Sequence, residues 1–213
     1  MRIACFPTML TLVLSLLGSS ICSAQTSGFL DSYPTMAPDP ERPGSMNWLK
    51  PGVDLRNYDR ILLDEITIFI SPSSKYKGLS PSRMQAIADN FRAVMVDTLE
   101  PDYPVVSKPG PRVILLRLAI SDVKLKKKKM SVLNLVPIGA AIRVTQEATG
   151  ATVLLDGATL EGEMLDSQSG DRIGVLLDRQ PGVSGSEDAS WDTLTQSLRF
   201  YATRLRARLG QGR

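Results

Sequence analysis

Residues 112–125, RVILLRLAISDVKL, predict one long β-strand. The apolar run Val113-Ile114-Leu115-Leu116 lacks the polar alternation of a half-exposed strand, and such runs are typical of strands buried on both faces. Pro109-Gly110-Pro111 comes just before this stretch and indicates a turn. We therefore expect residues 112–125 to form a central strand, with the rest of the domain arranged around it.

Shorter β segments flank this stretch on both sides. Alternating β-branched residues predict a strand over 58–70, and a short strand is expected at 104–107. Residues 151–165 predict a further strand, and the Asp/Ser/Gly-rich sequence 166–171 predicts a hairpin turn that leads into a partner strand at 173–179.

Two amphipathic helices complete the pattern. Ser80 is a suitable N-cap and Pro81 suits the first helical position, so the first helix begins there and ends before Pro101. The second helix covers about 188–209, and Gly210 is the residue expected just past its end. Apolar residues recur every three or four positions in both segments, so each helix has one face to bury.

These elements predict an α+β fold: a single domain with a mainly antiparallel sheet of about five strands and two amphipathic helices packed on it. A doubly wound parallel sheet is not expected, because three of the connections are too short for crossovers. Residues 25–57 are rich in Pro and Gly and predict an irregular lead-in, so the α+β domain is expected to span 58–210.

The N-terminus has the features of a secretory signal peptide at residues 1–24. Arg2 supplies the positive charge, residues 9–17 form the apolar core, and cleavage is expected after Ala24. The alternative is lipidation at Cys22, which would become the new N-terminus, although the bulky Ile21 precedes it. The sequence therefore predicts the periplasm or cell envelope of a Gram-negative bacterium, with a soluble product favoured over a lipid-anchored one.

Composition excludes several functional classes. The chain has no histidine, and both cysteines, Cys5 and Cys22, lie in the signal segment. Ser-His-Asp and Cys-His catalysis and metal sites that need His are therefore excluded, and no cofactor is expected. Outside the signal there are 24 basic and 22 acidic side chains, a net charge of +2 that does not favour nucleic-acid binding.

The most unusual segment is a basic and apolar insertion at 124–150. Five lysines precede an uncharged stretch at 130–142, which is too short to span a membrane but long enough for an interfacial segment. One interpretation is contact with a membrane surface or an envelope protein; the other is a solvated strand end followed by a buried loop. The candidate contact residues are Lys124, Lys126, Lys127, Lys128, Lys129, Met130, Val132, Leu133, Leu135, Val136 and Ile138.

The acidic residues around the predicted hairpin are the other candidate site. Glu161 and Glu163 share one face of a strand, and Asp166 and Asp171 flank the turn. They could act as an acid/base pair or bind a divalent cation, or they could form salt bridges to Arg172 or Arg179 across the hairpin. Trp191 begins the apolar stripe of the second helix, which favours packing over ligand binding.

Four blocks of sequence resemble domain-of-unknown-function family 3313. They are GFLDSY at 28–33, DLRNYDRI at 54–61, DYPVV at 102–106 and LDSQSGD at 165–171, and together they span most of the chain beyond the signal. The resemblance implies an exported proteobacterial protein, and many members of that family are described as lipoproteins. It implies no reaction and no catalytic residue.

We therefore expect a non-enzymatic binding or accessory module that acts at a membrane surface or on another envelope component. A hydrolase using only carboxylates, built from Glu161, Glu163 or Asp166, is one alternative. A self-assembling envelope subunit, and hence a homo-oligomer, is the other.

Overall fold

The computed structural model describes residues 27–100, 102–127, 153–179 and 191–210. Within these ranges the chain forms eight strands and two α-helices. They are β1 (Ala37–Pro38), β2 (Ser45–Leu49), β3 (Arg60–Leu63), β4 (Thr67–Ile70), α1 (Pro81–Leu99), β5 (Val105–Val106), β6 (Val113–Lys127), β7 (Val153–Asp166), β8 (Arg172–Asp178) and α2 (Trp191–Gly210). A short 3-10 turn at Leu55–Asn57 precedes β3.

β6 is the central strand, as its sequence predicts. One edge pairs antiparallel with β7 over most of its length. The other edge pairs in parallel with β3, from Val113 to Leu116, and then with β4, from Ala119 to Val123. Since both edges are occupied and Val113 and Ile114 are buried, the apolar run lies inside the sheet.

The α+β class is confirmed, but the expectation of about five mainly antiparallel strands is wrong. In the described part of the chain the order is β1-β2-β8-β7-β6-β3-β5, with β4 also beside β6. The pairs β3–β6, β4–β6 and β3–β5 are parallel, which makes the sheet mixed. Parallel neighbours need a long connection, and the segment containing α1 supplies it between β4 and β6.

Part of the larger sheet comes from residues before position 58. β2 pairs antiparallel with β8, and β1 pairs with β2. Two ion pairs tie this hairpin to the rest of the domain: Arg42 Nε lies 2.9 Å from the fully buried Asp178 carboxylate, and Arg204 of α2 binds Asp39. Arg42 also donates to Ser197 of α2 at 2.6 Å, so charge pairing holds a segment that has few apolar residues.

Both helices cover one face of the sheet. α1 begins where the capping signal places it, since the Ser80 hydroxyl accepts a hydrogen bond from the Arg83 N–H. Phe91 and Met95 of α1 and Leu194 and Leu198 of α2 are buried in the same core as the sheet. On β6 the core side chains are Ile114, Leu116, Leu118 and Ile120.

A bulge in β6 changes which alternate residues of the strand face the core. Asp122 has a positive φ of 47°, and the register with β7 shifts between Ser121 and Lys124. Beyond the bulge Val123 and Leu125 enter the core, although their parity differs from that of Ile120. The bulge therefore brings Ser121 and Asp122 together at the second face of the sheet, which the helices do not cover.

No helix in the described ranges is both long and apolar enough to span a bilayer.

Candidate functional site

The second face of the sheet contains a cleft of about 1,050 Å³. The segment that precedes β1 crosses this face: Arg117 of β6 lies 5.1 Å from the Phe29 ring, and Arg172 donates to the Ser32 carbonyl at 2.9 Å. Side chains from this segment and from the strands beneath it line the cleft. They include Tyr33, Met36, Met46, Phe69, Ser73, Ser121, Asp122, Thr159, Glu161, Leu177 and Arg179.

Glu161 lies at the floor of the cleft and is only 2% exposed. The hydroxyls of Tyr33 and Ser121 both donate hydrogen bonds to its carboxylate. Burial, together with this hydrogen bond to a carboxylate, raises the pKa of the Tyr33 phenol to about 12. Glu161 therefore joins the crossing segment to the sheet.

Glu163 is equally buried, but its partners are cations. Arg117 Nη1 lies 2.6 Å from one carboxylate oxygen, and Arg172 Nε lies 2.6 Å from the other. Both oxygens are occupied by charge-assisted bonds, which hold Glu163 in a structural position. A salt bridge from the hairpin acids to Arg172, one of the alternatives that the sequence left open, is therefore present and involves Glu163.

Asp166 and Asp171 belong to the hairpin turn. Asp166 accepts hydrogen bonds from the backbone N–H groups of Ser169 and Gln168, which hold the pKa of its carboxyl below the usual value. Tyr58 donates to Asp166 at 3.1 Å, and Asp171 pairs with Lys50 at 3.3 Å. The hairpin acids therefore do not converge with Glu161.

Asp122 supplies a second carboxyl to the cleft. Its neighbour Lys124 lies 2.8 Å from the carboxylate. Burial alone would raise the pKa of Asp122, but hydrogen bonds from Lys124 and Ser71 outweigh it and hold this pKa below the ordinary value. The group is therefore an ionised, paired carboxylate.

A second, smaller cavity of about 100 Å³ lies on the helix face, between α2 and the β7–β8–β2 part of the sheet. Its interior is apolar, with Leu116, Leu118, Met164 and Leu176 among the lining residues. Tyr201, Arg204 and Arg208 of α2 and Asp39 supply the polar part of the lining.

Both cavities have an exposed apolar residue in their lining. Among the described residues Leu49 and Phe69 are the large hydrophobic side chains that are exposed, at 40% and 36%. Leu49 lines the apolar cavity and Phe69 lines the cleft.

The described part of the basic insertion is the end of β6. Lys124 pairs with Asp122, and Lys126 lies 2.9 Å from Asp156 of β7. Lys127 is the last residue of β6. The remaining candidates lie outside the described residues: Lys128, Lys129, Met130, Val132, Leu133, Leu135, Val136 and Ile138, together with Cys22.

Sequence reasoning did not find several of these residues. Tyr33 is an isolated aromatic in a Pro-rich segment, and Ser121 is a single hydroxyl in an apolar strand, so neither has a local signal. Gly162 and Gly174 line the apolar cavity, where neighbouring side chains approach their backbone closely. A glycine inside a strand is a local signal that could have indicated such close approach. Within the described ranges no group of three or more acidic side chains is arranged to hold a metal ion.

Both curated sequences and solved structures align with this chain. Two curated relatives, both named uncharacterized lipoprotein YdcL, from Escherichia coli K12 and O157:H7, are 27% identical over 143 residues. That alignment covers 66% of this chain and 64% of each relative.

Among solved structures, two PelC dodecamers from Paraburkholderia phytofirmans align with TM-scores of 0.40 and 0.37 at 11% and 9% identity. These alignments cover 76% and 78% of this chain and 97% and 96% of the PelC chains.

A family model described as protein of unknown function (DUF3313) matches residues 25–204, which include every described strand, all of α1 and the larger part of α2. The chain therefore belongs to the DUF3313 family, as the four sequence blocks indicate.

Proposed function

We propose that this protein is an envelope-associated, non-enzymatic binding module that holds its ligand in the cleft on the second face of the sheet. The observation that carries the proposal is the cleft itself. Its volume of about 1,050 Å³ is at the upper end of the range of about 300–1,000 Å³ that is usual for ligand sites.

The composition of the cleft supports binding of a molecule with both polar and apolar parts. Hydroxyls of Ser73, Ser121 and Thr159 and the exposed Arg179 offer polar contacts. Phe69 presents apolar surface to water at the same site. Arg179 lines the cleft with an exposed side chain, and its positive charge suits an anionic group of the ligand.

Envelope association is supported by the N-terminal sequence and by the relatives. Residues 1–24 have the pattern of a secretory signal. The curated relatives are named lipoproteins, and the alignment spans 64% of their length. Either processing at Cys22 or cleavage after Ala24 would deliver the domain to the envelope.

The non-enzymatic part of the proposal rests on how the carboxyls are used. Glu163 is occupied by two arginines and Asp166 by the hairpin turn. The carboxyl groups that line the cleft are those of Glu161 and Asp122, and Asp122 is ionised and paired with Lys124. A carboxylate hydrolase needs one carboxyl that stays protonated near neutral pH, and Asp122 does not supply it.

A thermal-shift measurement with fractionated envelope extract tests the proposal. The purified protein is heated with the lipid extract, the digested cell wall and the small-molecule fraction. Ligand present at 100 times its dissociation constant stabilises a protein by about 2.7 kcal/mol, which raises the melting temperature of a chain of this size by about 5–10 °C. We expect one fraction to produce such a shift.

The control is Thr159→Trp, because residue 159 lines the cleft and lies next to Glu161 on the same face of β7. The indole should fill the cleft and abolish the shift. A shift that survives this substitution, or no shift with any fraction, would refute the cleft as the binding site. Turnover of a component in the active fraction that is lost with Glu161→Gln would favour the hydrolase instead.

A further inference from the structure

The apolar cavity on the helix face is separate from the cleft and lies on the opposite side of the sheet. Leu116 and Leu118 of β6 and Leu176 of β8 form its walls, and Leu205 of α2 covers it. Gly162 lets these walls approach closely, since a Cβ there would stand 3.3 Å from Leu118 Cδ2 and 3.5 Å from Leu176 Cβ. An apolar void in an otherwise close-packed core leaves dispersion contacts unmade, and an apolar group that entered would recover them.

The charged groups in the lining are not equivalent. Arg204 is fully engaged, since it binds Asp39 and lies 3.3 Å from Glu41. Arg208, one turn further along α2 on the same side, forms no hydrogen bond or ion pair with any described residue. Burial and the neighbouring Arg204 charge lower the pKa of Arg208, and they outweigh the opposite effect of Asp39 and Glu41, which are the acids that bind Arg204.

We propose that this cavity is a binding site for a short-chain alkyl carboxylate, with the carboxylate on Arg208 and the alkyl chain between α2 and the sheet. Charge complementarity selects the headgroup, because Arg208 is the unpaired cation of the lining. A guanidinium binds a carboxylate in a bidentate manner. The exposed Leu49, also in the lining, gives the chain apolar contact as it enters.

The volume limits the chain length. A cavity of about 150 Å³ accommodates benzene, which has six carbons. The cavity volume of 100 Å³ here therefore accommodates about four carbons. The carboxyl carbon and the carbon next to it stay beside Arg208, so the ligand that fits is hexanoate. Each buried methylene should strengthen binding about fourfold, and chains longer than hexanoate should gain little.

An NMR or calorimetric titration with propanoate, butanoate, pentanoate, hexanoate, octanoate and decanoate tests this expectation on the full chain. We expect affinity to rise about fourfold per methylene up to hexanoate and then to level off. Hexanol, which lacks the charge, should bind at least about tenfold more weakly than hexanoate.

Two matched pairs of variants locate the site. Arg208→Gln should weaken every carboxylate about tenfold or more while leaving the dependence on chain length intact, whereas Arg199→Gln, on the exposed side of α2, should change nothing. Gly162→Ala should end the rise about one methylene earlier, since the added methyl crowds Leu118 and Leu176 and pushes these cavity walls inward. Gly157→Ala on the same strand, where the nearest atom to the added Cβ is Lys124 Cδ at 3.9 Å, is its control.

Several outcomes overturn the proposal. They are no saturable binding of hexanoate, affinity that still rises steeply from octanoate to decanoate, or equal effects of Arg208→Gln and Arg199→Gln. Loss of hexanoate binding in Thr159→Trp would assign the ligand to the cleft instead. Conversely, hexanoate binding that survives Thr159→Trp supports this site even if no envelope fraction binds in the cleft.

Discussion

Glu161 and Glu163 stand two residues apart on one strand face with equal burial, and replacing each by Gln should separate their roles. In Glu163→Gln the neutral amide faces Arg117 and Arg172, so one guanidinium loses its acceptor, Arg172 loses its counterion and Arg117 keeps only the more distant Asp64 carboxylate at 3.8 Å. Breaking a buried ion pair from one side costs about 3–5 kcal/mol. The arginine side chains are 33% and 24% exposed, so water compensates in part and we expect the lower end, about 3 kcal/mol.

Glu161→Gln should cost much less. Its partners are the hydroxyls of Tyr33 and Ser121, and a hydroxyl can rotate to accept from the new amide as well as donate. The expected loss is about 1 kcal/mol, that of one neutral hydrogen bond exchanged for a poorer one. The exposed Glu65→Gln serves as the reference, with a change within about 0.5 kcal/mol.

Urea unfolding followed by circular dichroism measures the difference. With a slope of about 2 kcal/mol per molar urea, the midpoint of Glu163→Gln should fall by about 1.5 M and that of Glu161→Gln by about 0.5 M. The double variant Glu163→Gln/Arg172→Gln should recover part of the loss, because one uncompensated charge is removed. Equal midpoints for the two single variants would refute the assignment of Glu163 as the ion-paired, structural carboxylate.

Two further predictions concern the cleft and the lysines. Because the pKa of Tyr33 is raised to about 12, its contribution to stability is complete below pH 10 and is lost as the pH rises from 10 through 12. The pKa values of Tyr58 and Tyr201 are also raised, so ultraviolet titration should show several late-ionising tyrosines and Tyr33→Phe should remove one of them; an unchanged titration curve would contradict this. Lys124 and Lys126 have aspartate partners, so replacing both by Ser should leave the binding of the protein to anionic vesicles unchanged. Replacing Lys127, Lys128 and Lys129 should weaken this binding by about 3 kcal/mol, at about 1 kcal/mol per lysine. Equal effects of the two sets, or no vesicle binding by the parent, would exclude the membrane surface as the partner.

The sequence predicted those elements whose signals are local. Ser80 and Pro81 marked the start of α1, and β6 followed from its continuous apolar run. The hairpin between β7 and β8 followed from turn residues at 166–171. Capping, period and turn chemistry each act over a few residues, so they can be read without knowing the fold.

The strand predicted over 58–70 illustrates what local patterns miss. The structure divides it into β3 and β4, which both lie along the same edge of β6. Asp64 and Glu65 separate them and are exposed. Pairing direction depends on where the chain returns after α1, and no residue within the strand encodes that.

The sequence alone determined the absence of histidine chemistry, the α+β class and the central strand, because these depend on composition or on neighbours along the chain. Export through an N-terminal signal stays a prediction from the sequence. The tertiary structure decided that Glu163 pairs with arginines and that Glu161 accepts hydrogen bonds from hydroxyls. Tyr33 reaches Glu161 across 128 residues, and Arg42 reaches Asp178 across 136. Such pairs are set by sheet order and by the bulge at Asp122, which place distant residues on a common face. For that reason the cleft and the apolar cavity emerge only when the chain is folded.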